Sequence, residues 1–215
     1  MRTIAYIDAG NLYYGLLKGR PAIKWLDPVS LVRALLREDH PLVQVKFYTA
    51  RVRTYPHDVA AIERQRVYLR TLASIDVLEI VEGYYNRNKA WMPAAGARCR
   101  ACGEATDGRV RIVKLEEKRT DVNIATDMPY DAFSGSADSF ALLSGDSDFI
   151  APLDLIRRRF GKQTIVFDPR EQFSDICYHA SYYAHIPRDL PARCQLPDVV
   201  PLPNGRTVHR PPAWR

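Results

Sequence analysis

Four aspartates stand at positions where carboxylates would meet at one edge of a sheet. Asp8 directly follows the apolar run TIAYI, Asp146 and Asp148 follow the run SFALL, and Asp121 lies in the first turn of the segment TDVNIATDM. In open parallel α/β sheets, ligands bind beyond the carboxyl ends of the strands. Converging carboxylates repel one another unless a cation or bound protons neutralise them. Oxygen-rich clusters suit Mg²⁺ or Mn²⁺, and such ions activate water for in-line displacement at a phosphodiester.

Polar and basic residues flank these aspartates. Asn11 follows the first aspartate by three residues, and its amide can orient a ligand carboxylate or a phosphate. Ser144 and Ser147 flank the acidic pair and can donate to phosphate oxygens, and Lys118 can contact a phosphate. These residues complete a candidate site for a phosphodiester.

Each carboxylate also has a structural interpretation. Asp121 is at a helix start, where an aspartate is more often an N-cap than a metal ligand, and Asp146 and Ser147 are good capping residues as well. Asp8 has a weaker structural alternative, because a carboxylate directly after a buried strand needs partners. Asp127 falls roughly 240° round the helix from Asp121 and is expected on another face. The joint placement of these residues, rather than any one of them, indicates a site.

The segments that must position these residues alternate between strand and helix patterns. Besides the two apolar runs, strand patterns cover 43–52, 77–85, 109–115 and 163–167. Helix patterns begin at Pro28, Asp58, Thr120 and Phe149, with Thr120 as the expected N-cap of its helix. This alternation predicts an α/β fold with a mostly parallel central sheet.

Two segments interrupt the alternation. Residues 86–111 contain proline and several glycines with little periodicity, and we expect an insertion loop there. Residues 187–215 are rich in proline, and Asn204-Gly205 predicts the tight turn of a β-hairpin. The expected organisation is one domain over 1–186, carrying the insertion, and a C-terminal extension over 187–215.

Three blocks of this chain resemble a known family. YIDAGNLYYGLL, EKRTDVNIATDM and LLSGDSDFIAPL, in this order and approximate spacing, are similar to the NYN domain family, LabA-like members of the PIN-like nuclease superfamily. The resemblance covers about residues 1–185 and implies a PIN-like three-layer α/β/α sandwich that cleaves RNA with a metal ion. Matching the blocks residue by residue places Asp8, Asp121, Asp146 and Asp148 at the family's acidic positions and Asn11 at its amide.

The middle block departs from the family pattern. Members usually carry Lys-Gly-x-Asp, whereas this chain has Lys118-Arg119-Thr120-Asp121. A bulky Arg119 therefore replaces a flexible residue beside the expected site, where it either adds a phosphate contact or alters access.

The excess positive charge is concentrated in and after the expected insertion. The net charge is +6 with a pI of about 9.2, which suits a polyanionic partner. Arg98 and Arg100 lie in the insertion, with Trp91 and Tyr84–Tyr85 nearby. Basic residues interleaved with aromatic ones suit single-stranded nucleic acid, by phosphate neutralisation and base stacking. The alternative is an ordinary solvated loop.

The insertion also carries a cysteine pair, Cys99 and Cys102, with the spacing of half a zinc knuckle. A closed zinc site needs about four ligands. The remaining ligands would have to come from Cys177, His179, His185 or Cys194, or from the second chain of a homodimer. The alternative is a pair of reduced thiols in a loop.

Three functions follow from these patterns. The leading one is an Mg²⁺- or Mn²⁺-dependent ribonuclease, in which Asp148 is either a ligand or a base. The second is a catalytically weak RNA-binding or regulatory module on the same fold. A phosphohydrolase of small esters ranks third, because the sequence has neither a Walker A loop nor an Asp-x-Asp pair at Asp8. No apolar run reaches the roughly 18 residues of a membrane helix, and we expect a cytoplasmic protein.

Overall fold

The computed structural model describes residues 1–52, 59–94, 96, 98, 101–104 and 108–215. The main sheet contains the strands β1 (Thr3–Asp8), β2 (Leu42–Ala50), β3 (Leu78–Pro93), β4 (Arg109–Lys118), β5 (Ser139–Leu143), β6 (Gln163–Asp168) and β7 (Tyr182–His185). The α-helices are α1 (Ala9–Leu12), α2 (Pro28–Leu35), α3 (Val59–Leu72), α4 (Thr120–Phe133), α5 (Ile150–Phe160) and α6 (Leu190–Arg193). A π-helical turn, Tyr13–Leu17, continues α1. The expected alternation is confirmed, although Asp58, the expected start of α3, lies outside the described residues.

The sheet has the strand order β4-β3-β2-β1-β5-β6-β7. All neighbouring strands pair in parallel except β3 and β4, which are antiparallel. From β1 the chain builds outward through β2 to β3 and β4, and then returns to place β5 on the other side of β1. The strand order therefore reverses between β1 and β5, and such a switch point is where ligand crevices form in open α/β sheets.

Alternate side chains of β1 pack into two separate cores. Ala5 and Ile7 belong to the core beneath α2 and α3, whereas Ile4 and Tyr6 belong to the core beneath α4 and α5. Because both faces of the sheet are covered, all six residues of β1 are buried and its sequence is a nearly continuous apolar run. The three-layer α/β/α sandwich expected from the sequence is thereby confirmed.

The expectation of an insertion loop over 86–111 was wrong at both of its ends. Residues 86–93 extend β3 and residues 109–111 begin β4, and the two strands pair from Tyr84↔Lys118 to Pro93↔Arg109. Both are largely exposed, and their cross-strand pairs supply the order that a search for buried periodicity does not detect. These residues form a long two-stranded arm, which we call the β3–β4 arm (residues 84–93 and 109–118).

The C-terminal residues fold back onto the domain. Strands β8 (Val199–Pro201) and β9 (Thr207–His209) form the predicted hairpin, with Gly205 at φ 77° in its turn. Trp214 packs on Trp25 with ring centroids 6.1 Å apart. The boundary at residue 187 stays a prediction. Among the described helices, none is long and apolar enough to cross a membrane.

Candidate acidic site

The ends of β1 and β5 are joined by hydrogen bonds through Asp8 and Asn11. Asp8 accepts from the backbone N–H of Asn11 at 2.9 Å and from the hydroxyl of Ser144 at 3.1 Å. The Asn11 side-chain oxygen accepts from the backbone N–H of Gly145 at 3.2 Å. Asp8 is only 6% exposed, so these bonds fix its carboxylate. Asp8 is also the N-cap of α1, a structural role that the sequence analysis had rated as weaker.

Asp146 and Asp148 lie on the loop that follows β5. The Ser144 hydroxyl accepts from the backbone N–H of Asp146 at 3.2 Å, so one serine connects Asp8 to the acidic pair. Asp146 caps a short 3₁₀ helix by accepting from the N–H of Asp148 at 3.1 Å. Asp146 is half-buried, and Asp148 and Ser147 are exposed. The capping interpretation of Asp146 is confirmed. The capping bond uses only Oδ1, so Oδ2 of Asp146 is not engaged in capping that helix.

The start of α4 differs from the sequence expectation. Arg119, not Thr120, is the N-cap, and it has a left-handed backbone at φ 76° with no side-chain capping bond. Thr120 is the first helical residue and donates its hydroxyl to Glu117 at 2.6 Å. Asp121 is exposed and makes no capping bond. The capping interpretation of Asp121 was therefore wrong, which leaves its carboxylate available to a ligand.

Glu117 is a member of the cluster that the sequence analysis missed. It accepts from Thr120 at 2.6 Å and from the Tyr85 hydroxyl at 3.3 Å, and a Cβ placed on Gly10 would lie 3.6 Å from its carboxylate. The sequence patterns described above give Glu117 no role. The sequence feature that could have revealed Glu117 is its position near the end of a strand, four residues before Asp121.

Two carboxylates of this cluster, Asp8 and Asp121, have raised pKa values. Burial raises the pKa of Asp8 to about 6, and the charges of Asp121 and Glu117 add to the effect, while the bonds from Asn11 and Ser144 oppose it. The pKa of Asp121 is raised by desolvation of its carboxylate among neighbouring side chains, and then by the charges of Asp146, Glu117 and Asp148. The four predicted aspartates and Glu117 therefore share one electrostatic environment.

A hard divalent cation is the group that such a donor set suits. Neighbouring carboxylates repel one another, and a positive charge placed between them relieves that repulsion. Within the described part of the chain, no three His, Cys, Asp or Glu side chains already converge as metal ligands. Asp121 and Asp148 are exposed, and exposed side chains change rotamer within nanoseconds. The residues fit the ion by donor type and electrostatics, with Asp8 as the fixed member.

A second group missed from the sequence borders Asp146. Asp168, at the end of β6, is fully buried and accepts from the backbone N–H of Arg170 at 2.8 Å and from Tyr183 at 3.1 Å. A Cβ on Gly145 would collide with the Asp168 carboxylate and the Arg170 guanidinium. Arg170 also lines a polar cleft of about 300 Å³ beside Asp146. The sequence feature that could have revealed Asp168 is the segment TIVFD, a third apolar run that ends in a carboxylate.

The basic residues named from the sequence lie in two places. Lys118 is exposed and pairs with Glu116 at 3.1 Å, and the Arg119 guanidinium lies 5.0 Å from the centroid of the Tyr84 ring. Both are at the base of the β3–β4 arm, next to the acidic site. Arg98 is beyond the paired strands, about 30 Å along the arm at the usual rise per residue. Arg100 lies outside the described residues.

The zinc prediction is not resolved, because Cys99 lies outside the described residues. Cys102 is exposed and its thiol is 3.9 Å from Glu104. Two of the proposed completing ligands have other partners: His179 is 3.0 Å from Asp154, and His185 is 2.6 Å from the carbonyl oxygen of Arg170. The cysteine pair stays a prediction and is separate from the acidic site.

Comparison with protein families gives a match over most of the chain. A family model described as "NYN domain" matches residues 2–187. That range contains every carboxylate of the acidic site and the whole β3–β4 arm.

Two individual proteins are similar to this chain. A Pseudomonas putida protein named 6-hydroxy-3-succinoylpyridine 3-monooxygenase HspA is 28% identical over 239 aligned positions, which cover 100% of this chain and 75% of that protein. A crystal structure of a protein of unknown function from Vibrio parahaemolyticus superposes with a TM-score of 0.50 at 19% identity, covering 87% of this chain and 94% of that one. The second match supports the fold alone.

Proposed function

The chain belongs to the NYN domain family, and we propose that it is a divalent-metal-dependent ribonuclease. The observation that carries the proposal is the set of carboxylates at the switch point between β1 and β5, in which the pKa values of Asp8 and Asp121 are raised by burial and by the charges of their neighbours. Such a set is unfavourable by itself, and a function that needs a cation explains why it is present.

In this proposal Asp8, Asp121 and Asp146 hold the ion, and Asp148 and Glu117 complete the set as ligands or as acceptors of water protons. A bound Mg²⁺ or Mn²⁺ supplies an activated water and stabilises charge on the phosphate. Asn11 and Ser144 act as positioning residues, because they hold Asp8 and the loop after β5 in register. Hydrolysis breaks one P–O bond of the RNA, and water supplies the new oxygen and the proton of the leaving hydroxyl.

One side of the β3–β4 arm offers a path for the RNA strand. Residues directly opposite in an antiparallel ladder share a face, and the pairs Lys89↔Val113, Trp91↔Arg111 and Pro93↔Arg109 place three cations and an exposed indole together. The pair Tyr85↔Glu117 is an even number of residues along the strands from these pairs, so it lies on the same face of the ribbon. This side of the ribbon therefore runs from basic and aromatic residues to the acidic site, which supports phosphate neutralisation and base stacking along one track.

A catalytically weak RNA-binding module is the second candidate. It is favoured by the absence of three converging metal ligands among the described residues. The Pseudomonas putida relative is named as a monooxygenase of a substituted pyridine and not as a nuclease. RNA binding without turnover is the result that distinguishes this candidate.

The test is a panel of single-stranded and structured RNAs and matching DNAs, incubated with Mn²⁺, Mg²⁺ or EDTA. We expect cleavage of RNA in the presence of either metal and none in EDTA. Glu117→Gln should slow cleavage, whereas Glu116→Gln, its equally half-buried neighbour in β4, should not. Salt-dependent RNA binding with no cleavage under any condition would replace the nuclease proposal with the second candidate.

A further inference from the structure

A second cavity lies next to the acidic site but on the other side of Glu117. It has a volume of about 460 Å³ and is enclosed between the π-helical turn after α1, α3, the base of the β3–β4 arm and the C-terminal residues. Gly10 and Glu117 are among its lining residues, and a Cβ placed on Gly10 would lie 3.3 Å from the Asp8 carboxylate. This volume is within the 300–1,000 Å³ typical of small-molecule sites.

Six aromatic side chains contribute to the lining of this cavity: Tyr13, Tyr14, Phe47, Tyr68, Tyr85 and Trp214. We call it the aromatic cavity. Such a set offers ring faces and edges from several directions, which is the environment that binds a flat aromatic ring.

The rear wall of the aromatic cavity is fixed. The Tyr68 ring packs against Phe47 and Trp214 with centroids 6.4 and 5.9 Å away. Its hydroxyl donates to the carbonyl oxygen of Leu26 at 2.8 Å. Burial raises the pKa of Tyr68, so the hydroxyl stays protonated as a donor. A preformed wall lowers the ordering cost of binding.

The lining of the aromatic cavity also includes a cation and two partly exposed rings. Tyr13 and Tyr14 are 37% and 67% exposed. The Lys24 ammonium is 3.2 Å from the Tyr13 hydroxyl and 5.0 Å from that ring's centroid. Within the described part of the chain, Lys24 has no carboxylate partner. An ammonium that is held over a ring and lacks an acidic partner can bind an anionic group of a ligand.

We propose that the aromatic cavity binds a planar aromatic ring carrying an anionic group, with the ring among the tyrosines and Trp214 and the anion on Lys24. Two sources have this chemistry: a nucleotide of an RNA strand, whose base would enter beside the scissile phosphate, and a free aromatic acid. The proposal does not depend on the proposed nuclease activity, because it concerns binding that needs neither metal nor cleavage.

The test is equilibrium binding to the full chain by isothermal titration calorimetry in EDTA. One arm uses the four nucleoside 5′-monophosphates, and the other uses benzoate and pyridine-3-carboxylate. Cyclohexanecarboxylate and inorganic phosphate are the matched non-aromatic anions. We expect at least one aromatic arm to bind about tenfold more tightly than its non-aromatic control. The arm that binds identifies the source of the ligand.

Two variants locate the binding. Lys24→Met and Tyr14→Ala should each weaken it by about fivefold or more. Tyr130→Ala is the control, because Tyr130 is also 67% exposed but lies on α4, on the opposite face of the sheet. Equal binding of aromatic and non-aromatic anions, no binding in either arm, or binding that Lys24→Met and Tyr14→Ala leave unchanged would each overturn the proposal. Because the nuclease assay is separate, either proposal can fail without the other.

Discussion

The side-chain oxygen of Asn11 accepts a hydrogen bond from the backbone N–H of Gly145 at 3.2 Å. This bond joins the residues that follow β1 to those that follow β5, across the point where the strand order reverses. The bond therefore fixes the position of the loop that carries Asp146 relative to Asp8. Two carboxylates from segments far apart in sequence are thereby kept on one rim.

Replacement of Asn11 tests this positioning role. Asn11→Ala leaves the Gly145 N–H without its acceptor and should lower the free energy of unfolding by about 1 kcal/mol. It should also reduce RNA cleavage by about 10- to 100-fold, the usual range for groups that orient metal ligands. Urea denaturation and initial cleavage rates measure the two effects. Asn88→Ala, at an exposed position of β3, is the control, and equal rates for the two variants would contradict the role.

The raised pKa of Asp8 predicts a destabilising carboxylate in the metal-free protein. Its pKa is about 6 in the fold against an ordinary 3.8. The fold favours the protonated form, so the stability from neutral Asp8 is present below pH 3.8 and lost as pH rises through 6. Asp8→Asn keeps a capping oxygen and should be more stable than the wild type at pH 7.5 in EDTA, by about 3 kcal/mol.

The measurement is urea denaturation of both proteins at pH 4.0 and pH 7.5. The difference between them should be small at pH 4.0 and large at pH 7.5. Added Mn²⁺ should stabilise the wild type and not Asp8→Asn, since only the wild type has the full ligand set. A wild-type protein that is more stable than Asp8→Asn at pH 7.5 in EDTA would show that burial does not strain this carboxylate.

Arg119 is the sole non-glycine residue with positive φ in the described part of the chain. A left-handed backbone costs an L-residue with a Cβ about 1–2 kcal/mol, and the family usually has glycine here. Arg119→Gly and Arg119→Ala both remove the guanidinium next to Tyr84, but only glycine removes the strain. We therefore expect Arg119→Gly to be more stable than Arg119→Ala by about 1 kcal/mol in urea denaturation. Equal stabilities would mean that the residue is not strained.

The charged side of the β3–β4 arm should carry RNA affinity. Replacing Lys89, Arg109 and Arg111 with serine should weaken binding of a single-stranded RNA and reduce the slope of log K against log salt by about 0.7 for each lost phosphate contact. Fluorescence anisotropy at several salt concentrations gives that slope. Serine at Arg157, Arg158 and Arg159, at the end of α5, removes the same charge elsewhere. The same slope change in both triple variants would mean that binding follows net charge alone.

Much of the fold and four of the five carboxylates of the candidate site could be predicted from the sequence. Apolar runs ending in Asp8 and before Asp146 reveal buried parallel strands, because burial on both faces leaves little room for polar residues. Glu117 and Arg170 could not be found in this way, because their roles depend on side-chain contacts between segments. The strand pattern over 109–115 predicts most of β4, but the extension of β3 over 86–93 was missed because exposed cross-strand pairing leaves no periodic apolar pattern. Arg119 is a position where the sequence did give a signal. The family usually has glycine there, and the arginine of this chain has a left-handed backbone.

The central claim is that the carboxylates at the β1–β5 switch point hold a divalent ion and cleave RNA. Its most direct test is the single-turnover cleavage rate of a labelled single-stranded RNA in Mn²⁺ for the wild type, Asp146→Asn and Asp76→Asn. Asp76 is exposed and precedes β3, at the opposite edge of the sheet. We predict that Asp146→Asn loses more than about 100-fold, beyond the effect of groups that only orient ligands, that Asp76→Asn matches the wild type, and that EDTA stops all cleavage. Cleavage that survives Asp146→Asn or EDTA would contradict the account.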